Sequence, residues 1–189
     1  MLSCRDRGRH ADYIIDQRGN RAPAWHRIAA WLIDWLRILV LPLLLVPVGV
    51  ALYSAGLRLP VGLWNLISFL FLIAPVTLWC AWRESGRFQA TPGKRARGLI
   101  VVDARSGRPV GFGRALLRNT AKIALPWELG HTVAYGFATT ARNPSESLMV
   151  LTIIVYVIMF AWLGALFLPS TRTPYDLLGG TRVVSGSRE

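Results

Sequence analysis

Acidic side chains are scarce in this chain. Ten Asp and Glu stand against 22 Lys and Arg among 189 residues, and only 17% of the chain is charged while 53% is hydrophobic. An ordinary soluble domain carries about 25% charged residues, so this composition excludes that class. Cysteine is nearly absent. Cys4 and Cys80 match no metal spacing and no disulfide framework, and read as an incidental tail thiol and a small apolar residue. The three His are scattered, and no nucleophile is paired with a base, so no enzyme, metal or cofactor signature is present. The first 23 residues are polar and hold no apolar core beside a cleavage site, so no signal peptide is read there. A net charge of +12 raises the question of nucleic acid. That partner is set aside because the apolar runs require lipid.

Those runs are three. The first extends from about Ile28 to Leu57, with Pro42 and Pro47 expected to kink it. The second is Val61 to Trp82. The third, Leu148 to Leu168, carries no charge at all. Each is long enough to cross a bilayer, which takes about 20 residues. Trp25, Trp31, Trp64, Trp79 and Trp82 lie near the proposed helix ends, as interface anchors do. A fourth segment is irregular. Residues 112–141 begin as a basic helix, with Arg114, Arg118 and Lys122 on one face, and turn apolar from Ile123 to Ala138. This stretch contains Glu128 and His131, and a break is expected at Pro126.

Charge placement gives a topology. Six basic residues precede the first run, one (Arg58) lies in the following link, and ten lie between residues 83 and 122. The N-terminus and residues 83–122 are therefore expected in the cytoplasm, in a multi-pass protein of the cell membrane. Four crossings would also return the C-terminus there. "GLIVVDARSGRPVGF" reads as strand, turn, strand, and "GTRVV" as another strand, so a small cytoplasmic sheet of three short strands is expected. The fold class is an all-α polytopic membrane protein with three firm transmembrane helices, an irregular fourth and a small β element. Residues 1–23 read as a polar disordered tail, 24–184 as the membrane domain and 185–189 as a C-terminal tail.

Three blocks now stand in order: "RIAAWLID", then "ATPGKRARGLIVVDARSGRPVGFGRALLRN", then "YDLLGGTRVV". Together they resemble the RDD family of membrane proteins, named for one Arg and two Asp, over residues 24–184. The resemblance places the family Arg at Arg27, its first Asp at Asp34 and its second at Asp176. The sequence departs from the family in "PSTRTPYD", where Arg172 stands alone in place of a basic cluster. The family mostly lacks a settled function. Some members are associated with sodium–proton antiport or related cation transport, and others look like scaffolds or accessory subunits.

Each charged landmark has two readings. Arg27 and Asp34 share a helix face about 10 Å apart along the axis, too far to pair, whereas Arg37 is near enough to meet Asp34. Arg27 is then an interface anchor and Asp34 a packing partner; alternatively Asp34 lines a polar path and exchanges a proton or cation. Glu128 and His131 share a face and either sit at the interface after Trp127 or extend that path with Asp34. One Glu and one His are too few for a metal. Asp176 is either a helix cap or a latch onto a loop cation such as Arg95 or Arg97. "TPGKRARG" lacks the spacing of a phosphate loop, since Phe88 and Arg95 occupy the required positions. Lys94, Arg95 and Arg97 are better read as contacts to anionic lipid headgroups. Two functions follow: cation/proton transport through an intramembrane carboxylate, in an oligomer because four helices make a thin pathway, or a non-transporting scaffold or accessory subunit that pairs with a partner membrane protein.

Overall fold

The computed structural model describes residues 22–140, 143–168 and 172–186. Of the two expected tails, residues 1–21 and 187–189 lie outside the described residues, and Ser185 belongs to the last strand. The first apolar run forms α1 (Ala24–Ile38) and α2 (Val40–Ser54), joined at Leu39. Pro42 has no N–H for the Ile38 carbonyl four residues back, so the helix loosens one turn before the proline. Leu39 N still donates to the Trp35 carbonyl at 2.8 Å. The 31 residues Ala24–Ser54 are therefore one helical rod, long and apolar enough to cross a membrane.

The second run is α3 (Val61–Ser68), a π-helical turn (Phe69–Ile73) and α4 (Ala74–Glu84). After a loop come a short helix, α5 (Pro92–Ala96), and strand β1 (Leu99–Asp103). Next is α6 (Phe112–Asn119), a second π turn (Thr120–Ala124) and α7 (Leu125–Thr139). Both π turns come just before a proline, Pro75 or Pro126. Each proline leaves a carbonyl four residues back, at Phe71 or Lys122, without its usual donor. A widened turn re-pairs the neighbouring carbonyls within the helix. The break expected at Pro126 is thus a widening, and residues 112–139 run as one helix.

The third run is α8 (Glu146–Gly164), capped by Ser145, whose Oγ accepts from Leu148 N at 3.3 Å. It ends in a 3₁₀ turn (Ala165–Phe167). Helix α9 (Pro174–Leu178) and strand β2 (Thr181–Ser185) complete the described chain.

The sheet has two strands where three were expected. β1 and β2 are antiparallel, with Val101 opposite Val183 and Asp103 opposite Thr181. The intervening segment contributes only a bridge from Val102 to Pro109. Pro109 has no N–H to extend a ladder. The turn before it is held instead by Asp103 Oδ1, which accepts from Arg105 N and Ser106 N at 2.8 and 2.7 Å. Both faces of the sheet are covered. Leu99, Val101 and Val183 join Ala30, Ala81, Val110 and Ala115, while Ile100, Val102 and Val184 pack with Ala90. A strand buried on both sides has no reason to alternate, which accounts for the continuous "LIVV".

Three helices are long and apolar enough to span: Ala24–Ser54, Val61–Glu84 and Glu146–Phe167. Their large apolar side chains face outward, as Leu36 (72% exposed), Leu43 (71%) and Phe160 (68%) do, and α2 buries no residue. Such a belt is stable only in lipid. Helix α7 runs antiparallel to α8. Trp162 Nε1, near the end of α8, donates to the Ala121 carbonyl at 3.3 Å, and Gly136, near the end of α7, lies against Leu148 at the start of α8. From Thr120 to Thr139 the helix covers about 30 Å, the thickness of a hydrocarbon core.

Candidate functional site

The start of α1, the ends of α4 and α6, and α9 after α8 converge on one side of the bundle. There they bury charge. Asp176 lies on α9, whose first turn is set by Pro174 and by Thr173 at the N-cap. Its Oδ2 accepts from Arg27 Nη2 at 2.7 Å, from Thr173 Oγ1 at 2.7 Å and from Thr173 N at 3.2 Å. Its Oδ1 accepts from Arg118 Nε at 2.9 Å and from Thr181 Oγ1 at 3.4 Å. Asp176 is thus a cap and a latch at once. The latch partners are Arg27 and Arg118, which corrects the expectation of Arg95 or Arg97. Those two side chains are exposed on and beyond α5.

Arg118 carries the network onward. Its Nη1 pairs with Glu84 Oε2, which also accepts from Asn119 Nδ2 at 2.8 Å. Glu84 Oε1 pairs with Lys94, and Lys122 Nζ lies 3.9 Å from it. Glu84, Arg118, Asn119 and Asp176 are all at most 1% exposed. Burial alone would push the Asp176 carboxyl up, but the Arg118 and Arg27 guanidiniums outweigh it and hold it at about 2. Burial likewise works against the Arg118 charge, and Glu84 and Asp176 overcome it, so its pKa rises. Burial draws the Lys94 ammonium down to about 8, with Glu84 pulling the other way. Lys94 is buried here, so it does not face headgroups as the sequence suggested.

Asp34 has a different task. Its Oδ2 accepts from Thr91 Oγ1 at 2.5 Å and its Oδ1 from Gly93 N at 2.7 Å. A carboxylate on α1 therefore caps the first turn of α5 from outside. The contact is close. A Cβ at Gly93 would overlap the Ala30 carbonyl and lie 2.8 Å from Asp34 Cγ, so only glycine fits. Arg37 does not meet Asp34; it is exposed and donates to the Ile33 carbonyl of its own helix at 3.3 Å.

A second polar group lies between α3 and α7. Asn65 Nδ2 donates to Glu128 Oε1 at 2.6 Å and reaches Thr132 Oγ1 at 3.4 Å, and the Ser68 and Tyr135 hydroxyls are 2.7 Å apart. Glu128 Oε2, Asn65 Oδ1 and His131 Nδ1 are buried atoms with no hydrogen-bond partner. His131 stacks on Trp127 at 6.1 Å, and Trp127 meets Trp35 at 5.3 Å. Asn65, Thr132, Tyr135 and Ser145 line a cavity of about 380 Å³ that opens beside this group. Glu128 and His131 thus stand together as expected. Asp34 shares no hydrogen-bond partner with them among the described residues, and the Trp35–Trp127 ring pair lies beside both.

Glu84, Asn119, Thr91 and Asn65 were not singled out from sequence, and Arg118 was read only as part of a basic helix face. A charge at the end of an apolar run reads as a boundary. The available signal was that Arg118 and Lys122 repeat on a helix face for which so acid-poor a chain offers few counter-charges. Among the described residues no group of three or more His, Cys, Asp or Glu could hold a metal ion. Residues 21–180 match the family model described as RDD family. No curated protein and no solved structure matches the chain.

Proposed function

The chain belongs to the RDD family, and from that footing we propose that it exchanges a monovalent cation for protons across the cell membrane, with Glu128 as the carboxylate that changes occupancy. The observation that supports this is the trio of buried, unpartnered polar atoms Glu128 Oε2, Asn65 Oδ1 and His131 Nδ1 within an apolar helix pair. An unsatisfied polar atom away from water costs about 1–3 kcal/mol, more if charged, so three together favour a site that takes up a proton or cation. Glu128 has no cationic partner among the described residues, whereas Glu84 and Asp176 are paired and Asp34 is committed to α5. Lysine and arginine counts favour the ionic junction on the cytoplasmic side, with the cavity at Asn65 opening outward.

The test is proton flux in proteoliposomes under an imposed pH gradient, with sodium, lithium and potassium offered in turn. Wild type should carry flux with at least one cation. Glu128→Gln, which keeps the Asn65 hydrogen bond, should fold normally and reduce flux at least about a hundredfold, the usual scale for losing a positioned proton-transfer group. Unchanged flux in that variant would remove Glu128 from the role. No flux in wild type with any cation would favour the second reading, a scaffold or accessory subunit. That reading draws on the junction itself, where buried charge is spent on joining helices.

A further inference from the structure

Arg83 lies in the last turn of α4 and Arg87 just beyond its end. Arg83 lies with its guanidinium carbon 4.6 Å from the centre of the Phe88 ring and 5.7 Å from that of Trp82. Arg87 lies 5.1 Å from the same Phe88 ring. Trp82 and Phe88 meet edge to face at 5.1 Å. Neither arginine forms an ion pair among the described residues, and Arg83 Nε is buried with no partner. Two like charges gathered on one ring repel unless an anion joins them.

The loop that gathers them is built. Gly86 and Gln89 both adopt positive φ, 54° and 51°. Gly86 N donates to the Val110 carbonyl at 3.0 Å, and the Gln89 carbonyl accepts from Val101 N at 2.7 Å. The loop is thus pinned to the middle of β1 and to Val110 beyond it, and Gln89 is buried. The cationic pair is held in place before any ligand arrives, which lowers the ordering cost of binding.

We propose that Arg83, Arg87 and the Trp82–Phe88 pair form a binding site for the phosphate of an anionic phospholipid. Trp82 is 51% exposed at the end of a membrane-spanning helix, the depth at which headgroups begin. Guanidinium forks match phosphate oxygens in pairs, and the exposed indole offers the apolar surface that an acyl chain covers. The carbonyl end of α4 adds a field that favours the two cations but opposes a bare anion, so the arginines make the contact and the helix end does not. This relocates the headgroup contact expected at Lys94, Arg95 and Arg97.

Native mass spectrometry of the detergent-solubilised full chain tests it. The probes are dioleoylphosphatidylglycerol, dioleoylphosphatidylcholine and inorganic phosphate, each titrated separately. Wild type should retain phosphatidylglycerol in preference to phosphatidylcholine. Arg83→Gln/Arg87→Gln should weaken phosphatidylglycerol binding about thirtyfold, on the scale of roughly fivefold for each basic group near anionic lipid. Phe88→Leu, which keeps both charges but removes the shared ring, should weaken it several-fold. Arg95→Gln/Arg97→Gln should leave it unchanged. Equal loss in both double variants would mean diffuse charge and overturn the site, as would unchanged binding in the first. Inorganic phosphate binding as tightly as the lipid would also overturn it, in favour of a soluble ligand. Equal melting temperatures across the variants separate lost binding from lost fold, and a double variant that melts low leaves Phe88→Leu to decide.

Discussion

Asp176 shows what a single carboxylate contributes when two guanidiniums share it. Removing one partner from a buried ion pair leaves the other charge uncompensated, at a cost of about 3–5 kcal/mol. Asp176→Asn is expected to lower stability by that amount in a detergent unfolding titration, while Asp103→Asn, in a solvent-screened pair with Arg114, should change it far less. The pH dependence has a defined sign. The folded Asp176 carboxyl is held at about 2 against an ordinary 3.8, so its stabilisation is complete above pH 4 and lost as pH falls through 2. Acid unfolding should therefore steepen between about pH 4 and 2, and that steepening should be missing in Asp176→Asn. Gly93 is the second sensitive position. Gly93→Ala places a methyl against the Ala30 carbonyl and Asp34, and a melting experiment should show a loss at least as large as that from Asp34→Asn.

At the scale of elements, prolines shape the spans without ending them. The π turns before Pro75 and Pro126 and the joint before Pro42 are three answers to the same missing donor. The sequence pointed to a kink at Pro42 and a break at Pro126 but gave no sign of irregularity at Pro75, and it did not distinguish a break from a widened turn. That choice depends on neighbours: the π turn at Thr120–Ala124 offers its Ala121 carbonyl to Trp162 on α8. Trp162→Phe removes this bond and should destabilise the α7–α8 pair by about 1 kcal/mol, visible as earlier hydrogen exchange across residues 120–125. The sheet gives a parallel case. Alternation failed to show which strands pair because both faces are buried, and Pro109 quietly removed the third strand.

For the whole molecule, the ionic junction ties the chain into a ring, since Arg27 meets Asp176 across 149 residues and Arg118 links both to Glu84. Arg27→Met and Asp176→Asn should therefore be non-additive, with a coupling of about 1–3 kcal/mol in a double-mutant cycle. The four-crossing topology expected from the sequence can be tested at the ends of the α7–α8 pair. A helix that leaves the junction at Arg118 and an antiparallel α8 that returns to it put residues 106 and 145 toward opposite ends of the helix pair. In a background without Cys4 and Cys80, Ser106→Cys should react with a membrane-impermeant thiol reagent only from the cytoplasmic side and Ser145→Cys only from outside. Labelling of both from one side would contradict four crossings.

Sequence by itself determined the environment and the landmarks. Runs of about 20 apolar residues can only be stable in lipid, and the basic residues between them, together with Arg27, Asp34 and Asp176, could be read one position at a time. Tertiary structure alone decided the partners. Asp34 and Asp176 each needed a counterpart to be buried at all, but which donor arrives depends on how four helices cross and on a glycine that lets α5 touch α1. For the same reason Glu84 stayed silent in sequence and Arg118 could be placed on a basic face but given no partner, while Glu128, like Asp34, forms no ion pair among the described residues. Burial and charge are properties of a residue, whereas pairing is a property of the distances between helices that are far apart in the chain.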